Sequence, residues 1–481
     1  MSLAPRTIAV NTAFYFTALT FQKLLSFFYF SYIARSLGTV LTGRYFYALT
    51  IAAIIMVFMD LGISPVLIRE ASREKNDVGS LVGTVLSLKL LLSAVCAIVF
   101  VALVHFTVPE LIMRQLLYIA LGIALCDSFA AVLFGVARSR QNLIYESVAA
   151  MLFQIVVVIL GVSALRAGYP LPIILLALLS ASFINLLYAG VIVFVRYKVI
   201  PRWRGMHVLA AQVIRLSIPF GIAAVFVKVY AYLDTLLLRY FAGDHAVGIY
   251  SVAYKVTFAF QFIPLAFVAA LYPAFSYLWQ HDKQQLQSVF NRSLDLLLIV
   301  SLPIVTGIIA IASHAIPSVY TVSFAGSVTP LMILITSLPF LFINFPLGSL
   351  LNACNRQTRQ TINLGTVMAI NAIINLLVIP FYGPTGAAVA STVSTIIATA
   401  LGLWSVRGLV HIDTKRLLRV IGQLLVLCAG IVVVVRVSAV LTSHWYIALL
   451  PAIIFYCCGI LFFKLVSVAD IRLLLARKAQ P

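Results

Sequence analysis

Fourteen apolar runs, each long enough to cross a hydrocarbon layer, follow one another along this chain with only short connections between them. A spanning helix needs about 20 mainly apolar residues, and within lipid every backbone polar group must be satisfied inside its own segment. The chain is therefore expected to be an all-α polytopic membrane protein of about fourteen transmembrane helices. The runs lie near 8–33, 45–67, 81–104, 116–136, 144–165, 173–195, 213–237, 248–272, 293–316, 329–351, 362–380, 386–405, 419–441 and 446–466. The first run is too long for a cleaved signal, and no small-residue cleavage site precedes Arg35. The longest connection, 273–292, reads as a segment lying along the interface, so no soluble domain is expected. With 63% hydrophobic and only 10% charged residues, a soluble domain, a disordered chain and a disulfide-stapled domain are excluded.

The 33 Lys and Arg against 13 Asp and Glu give a net charge of +20. In a soluble protein that would suggest nucleic acid; here the bilayer decides where the charges go. With the N-terminus in the cytoplasm, 22 cationic residues fall on cytoplasmic connections, 6 on outer ones and 5 within or at the edge of spans. That asymmetry is a positive-inside signal with both termini cytoplasmic. The tail Asp470–Lys478 reads as a short basic amphipathic helix on the cytoplasmic surface.

A shift of 205 residues superimposes Ala18 on Ala223, Lys23 on Lys228, Gly38 on Gly243, Gly43 on Gly248, Tyr45 on Tyr250 and Ala48 on Ala253, without a gap. The shift carries span 1 onto span 7, so the repeat is parallel rather than inverted. It predicts two pseudo-symmetric six-helix lobes, 1–205 and 206–410, with helices 13 and 14 and the tail in 411–481.

Charges inside spans carry the functional expectation, because a Lys at the bilayer centre costs about 2.5–3.5 kcal/mol on insertion scales. Lys23 and Lys228 share a depth in the outer half of spans 1 and 7, Lys89 is near the middle of span 3, and Lys255 is below the outer end of span 8. Lining a central cavity, the four would attract an anion such as a phosphate. In the competing reading they pair with Asp60, Asp127 and Asp234, acids that are also candidates for proton or sodium coupling. Arg35 and Arg44, at the outer turn between spans 1 and 2, and Arg239, at the matching turn between spans 7 and 8, are candidate exit-side phosphate contacts or solvated loop charges. Asn363, Asn371 and Asn375 share a stripe of span 11 suited to interhelical hydrogen bonds. Pro219, Pro264, Pro303, Pro339 and Pro346 concentrate in spans 7 to 10, which suggests that the second lobe bends more.

Several chemistries lack their residues. The six cysteines show no CxxC or zinc spacing, and there is no HExxH, Walker A or GxSxG pattern and no DxD pair. No metal site, cofactor or nucleotide-driven pump is expected, and no outer loop is long enough for a catalytic platform. Transport driven by an H+ or Na+ gradient, or by consumption of the product, remains.

Ala34-Arg35-Ser36-Leu37-Gly38, Gly43-Arg44-Tyr45, Asp60-Leu61-Gly62 and the basic loop from Arg69 resemble the start of the polysaccharide-exporter branch of the multidrug/oligosaccharidyl-lipid/polysaccharide superfamily. Pro380-Phe381-Tyr382-Gly383-Pro384-Thr385-Gly386-Ala387-Ala388, with Ala390-Ser391 after it, is similar to a second pattern of that family. The resemblance implies a Wzx-type flippase with a MATE-like fold. It would move an undecaprenyl-diphosphate-linked oligosaccharide, such as an O-antigen repeat unit, between leaflets of a bacterial inner membrane by alternating access. It implies a cationic cavity, placed by location at Lys23, Lys89, Lys228 and Lys255. Partners would be the lipid-linked substrate, membrane lipids, and a polysaccharide polymerase and glycosyltransferases, with no nucleic acid. A lipid II flippase, a cation-coupled multidrug exporter and a membrane glycosyltransferase or polymerase are the alternatives. The drug exporter would want acidic groups for cationic cargo, whereas the outer-half charges here are mainly basic.

Overall fold

A computed structural model describes residues 5–73, 78–203, 205–441 and 445–466, and among these there is no strand. The tail expected to form a basic helix lies outside the described residues. Fourteen α-helices follow one another: α1 (Pro5–Asp60), α2 (Ile63–Arg73), α3 (Val78–Thr107), α4 (Leu111–Ser139), α5 (Ile144–Arg166), α6 (Leu171–Val191), α7 (Met206–Ala259), α8 (Phe262–His281), α9 (Lys283–Tyr320), α10 (Val328–Ile335), α11 (Leu338–Ala353), α12 (Gln357–Val406), α13 (Thr414–Leu441) and α14 (Leu449–Phe462).

The helices do not correspond one-to-one with the apolar runs, because three of them each carry two. At 1.5 Å per residue the 56 residues of α1 would reach roughly 84 Å if straight, far beyond a bilayer core of about 30 Å. The chain folds back instead. Phe30 and Phe46, sixteen positions apart, have ring centroids 6.3 Å from each other, where a straight helix would separate them by roughly 24 Å. In α7 the Tyr250 hydroxyl donates to Asp234, again sixteen positions away. In α12 Asn371 Nδ2 donates to Ser394 Oγ at 3.1 Å and Asn363 Nδ2 to Ser405 Oγ at 2.9 Å, joining the two arms of that hairpin through the stripe of asparagines read from the sequence.

Each reversal is made by a glycine. Gly38 has φ 72°, ψ −178° and Gly243 has φ 77°, ψ −177°, while Gly383 has φ 51°, ψ −126°. A side chain disfavours this half of backbone space, whereas glycine enters it freely. The first two glycines are 205 positions apart and adopt the same conformation, so the internal repeat is structural as well as sequential. Tyr29 and Tyr45, which sit side by side across the first hairpin, occupy the positions that Asp234 and Tyr250 occupy in the second.

The chain forms two compact units, one of Met1–Ser251 with Asn375–Gly383 and the other of Val252–Ile374 with Pro384–Pro481. The first has an apolar core that includes Ile63, Val66, Leu67, Leu81, Val132, Phe134 and Val193. The core of the second centres on Phe275, Phe290, Leu294, Leu350, Leu424 and Ile431. The stretch 273–292, expected to lie along the interface, is helical. It is interrupted only at Asp282, whose Oδ1 accepts from Gln285 N at 2.8 Å and caps α9. In the same unit Asp295 is buried against Arg416 at 2.7 Å, and Asn291 joins the His411 carbonyl and the Asp413 amide, tying α9 to the start of α13. A 43° bend separates the segment ending in α10 from α11, whose first turn contains Pro339.

Candidate functional site

Lys23 and Lys228 lie on the first arms of the two repeated hairpins, both within the first unit. Lys23 is exposed. Lys228 is half-buried with its Nζ 5.6 Å from the centroid of the Tyr232 ring. The two ammonium groups are near enough for their charges to repel. Among the described residues neither forms an ion pair with a carboxylate. Two like charges brought together in apolar surroundings favour a bound anion. Lys255 is half-buried in the other unit.

Lys89, expected either on a cavity wall or paired with an acid, pairs with Asp60. Its side chain is fully buried, and its Nζ is 2.5 Å from Asp60 Oδ1, which also accepts from Ser64 Oγ at 2.5 Å. An isolated ammonium in the core of α3 would be costly, and the carboxylate at the end of α1 offsets that cost. Leu61 (φ 39°) and Gly62 (φ 82°) then turn the chain into α2. This turn packs on α7 so tightly that a β-carbon on Gly62 would stand 2.5 Å from the Ser217 carbonyl oxygen. The Asp60-Leu61-Gly62 pattern therefore serves an ion pair to a buried lysine and a close backbone crossing.

The other two acids separate in the same way. Asp234 is buried and accepts from the Tyr250 hydroxyl and from Thr235 N at 2.7 Å, so the second hairpin uses it internally. Asp127 instead lines an open cavity of about 280 Å³ between α1, α4, α5 and α6. Gln22, next to Lys23 in sequence, lines it too, with Asn185, Arg138 and Glu146. Arg138 and Glu146 form a two-bond guanidinium–carboxylate pair at the ends of α4 and α5.

The hairpin turns form a third group. Arg44 contacts Glu110 at 2.7 Å and Asp244 at 2.8 Å; Arg239 contacts Asp244 at 2.8 Å and lies 4.1 Å above the Tyr47 ring. Thus two of the expected phosphate contacts are bridged by one carboxylate, and Arg35 is exposed on the adjoining turn. Thr39 Oγ1 and His245 Nδ1 are hydrogen-bonded at 2.8 Å. Beneath them a β-carbon on Gly43 would stand 1.8 Å from the Asp244 carbonyl oxygen, and one on Gly248 would stand 1.9 Å from the Thr39 oxygen. Under the 205-residue shift Gly43 becomes Gly248 and Thr39 becomes Asp244, so these contacts are a pseudo-symmetric pair. Asp244, His245 and Tyr47 were not singled out from the sequence, although Asp244 adjoins the repeated glycine and occupies the register of Thr39.

Comparison with known proteins agrees with this architecture. The model of the family described as polysaccharide biosynthesis protein matches residues 8–279, and that of the MatE family matches 219–377. A probable flippase, AglR of Haloferax volcanii, is 28% identical over 180 residues, which are 36% of this chain and 37% of that protein. A probable low-salt glycan biosynthesis flippase of the same organism, Agl15, is 25% identical over 174 residues, again 36% and 37% of the two chains. The match thus spans little more than a third of each relative. Among solved structures, the lipid II flippase MurJ in an inward closed conformation superimposes with a TM-score of 0.78 at 16% identity, covering 94% of this chain and 98% of that one. An inward-facing MATE multidrug transporter gives 0.66 at 14% identity over 81% and 95%. With its family model matched over residues 8–279, more than half of its length, and with a fold shared with MurJ and the MATE transporters, this chain belongs to the polysaccharide biosynthesis protein family.

Proposed function

We propose that this protein translocates an oligosaccharide linked to a polyprenyl diphosphate, with undecaprenyl diphosphate as the carrier, from the cytoplasmic to the outer leaflet of a bacterial inner membrane. Lys23 and Lys228 receive the diphosphate. The observation that carries this reading is their arrangement: two ammonium groups at equivalent positions of a repeat, mutually repelling, with no carboxylate paired to either among the described residues. A diphosphate supplies the missing charge. Both termini lie in the cytoplasm, as the distribution of Lys and Arg favours. The glycine-lined hairpin turns then close the outer side, and alternating access requires them to part.

Asp127 is the coupling acid in this account. Asp60 is committed to Lys89 and Asp234 to Tyr250, whereas Asp127 lines a cavity that also holds Gln22, Asn185, Arg138 and Glu146 and that a proton or sodium ion can enter. Glycosyltransferases supply the cargo and a polymerase consumes it, which gives the cycle its direction.

The test is chemical. Cells lacking this gene should accumulate the lipid-linked oligosaccharide with its glycan accessible only from the cytoplasmic face. An unchanged leaflet distribution would refute the proposal.

A further inference from the structure

The first unit carries a second cationic cluster, remote in sequence from Lys23 and Lys228, where the α4–α5 turn meets the end of α6. The last turn of α6 widens into a π-helix over Ile192–Arg196, an irregularity that recurs at functional sites. It is followed by Lys198 in a left-handed conformation (φ 53°). On the facing turn Gln141 is left-handed as well (φ 57°). These two departures from helix bring Arg140, Tyr145, Arg196 and Tyr197 together. The Arg140 guanidinium lies 4.6 Å over the Tyr197 ring, Arg196 Nε donates to the Tyr145 hydroxyl at 3.3 Å, and the two tyrosines stack edge to face at 6.0 Å.

Both guanidinium groups are thus oriented by aromatic partners, and both are exposed. Among the described residues neither meets a carboxylate. The acid on this surface, Glu146, is occupied by Arg138. A planar guanidinium held by its face or by one N–H keeps its remaining donors for a tetrahedral oxyanion, the geometry that phosphate offers. The surroundings indicate where the phosphate comes from. Val195 is 67% exposed and Ile200 66% exposed on the same stretch, a lipid-facing apolar rim directly beside the charges.

We propose that Arg140 and Arg196, positioned by Tyr197 and Tyr145, bind the phosphodiester headgroup of an anionic membrane phospholipid, as a site separate from the transport path. Phenol burial supports the arrangement: Tyr197 is pushed above its ordinary value, chiefly by burial and secondarily by Tyr145, with Arg140 and Arg196 opposing, so it stays a neutral platform.

The test uses full-length protein in nanodiscs of phosphatidylcholine with increasing phosphatidylglycerol, read by native mass spectrometry of retained lipid and by the unfolding midpoint. The wild type should retain phosphatidylglycerol in preference to phosphatidylcholine. The Arg140→Gln/Arg196→Gln double variant should lose that preference at least about tenfold while keeping the wild-type midpoint in pure phosphatidylcholine. Arg140→Lys/Arg196→Lys, which keeps charge but loses the planar fork, should fall between the two. If the Gln variant misfolds, the Lys variant and Tyr197→Leu carry the comparison. Equal phosphatidylglycerol retention in all variants that fold would overturn the proposal. So would displacement of the lipid by equimolar inorganic diphosphate, which would assign the site to a soluble anion. Neither result bears on translocation through Lys23 and Lys228.

Discussion

Gly43 stands against the main chain of Asp244 with no room for a β-carbon, which would lie 1.8 Å from that carbonyl oxygen, and Gly248 repeats the contact against Thr39 at 1.9 Å. The two repeats therefore meet through bare backbone at their turns, where Thr39–His245 and Arg44–Asp244 hold them.

Gly43→Ala and Gly248→Ala should each weaken this closure. Overpacking costs about 1–3 kcal/mol, a factor of about 5 to 150 in the population of the closed state. Disulfide formation in a Thr39→Cys/His245→Cys pair measures it. The yield should fall in the Gly43→Ala background, together with transport, and an unchanged yield would show that the contact is not needed for closure.

Lys89 and Lys23 should behave oppositely. Lys89→Met leaves the half-buried Asp60 without its cation and should destabilise the protein by about 1–3 kcal/mol. Lys23→Met removes a repelling charge and should leave the unfolding midpoint in detergent unchanged or raised. Equal losses in the two variants would contradict the division between a structural and a substrate-facing lysine.

That division was only half legible in the sequence. Membrane class, helical hairpins and the repeat follow from run length and a gap-free offset, because lipid forces these onto the local sequence. The partner of a buried lysine depends on helix rotation, which the nearly uniform apolarity of α3 conceals. Lys89 and Lys23 look alike as letters, yet one is buried against Asp60 and the other is exposed. The Asp244 bridge was hidden for a related reason: Arg44 and Arg239 come from two separate turns, and only the tertiary fold brings both to one carboxylate, with Glu110 from a third turn on Arg44.

Asp127→Asn should uncouple without unfolding. Its cavity keeps its shape, so substrate binding should persist while stimulation by an imposed H+ or Na+ gradient disappears in proteoliposomes. Retained stimulation would remove Asp127 from the coupling role.

The lysine pair is tested most directly by translocation of a polyprenyl-diphosphate-linked oligosaccharide in proteoliposomes, comparing wild type with Lys23→Met/Lys228→Met and Lys23→Arg/Lys228→Arg at matched protein levels. Removing both charges should abolish translocation, and the arginine pair, which keeps both, should restore part of it. Undiminished translocation by the methionine pair would contradict the central claim that these two lysines receive the diphosphate.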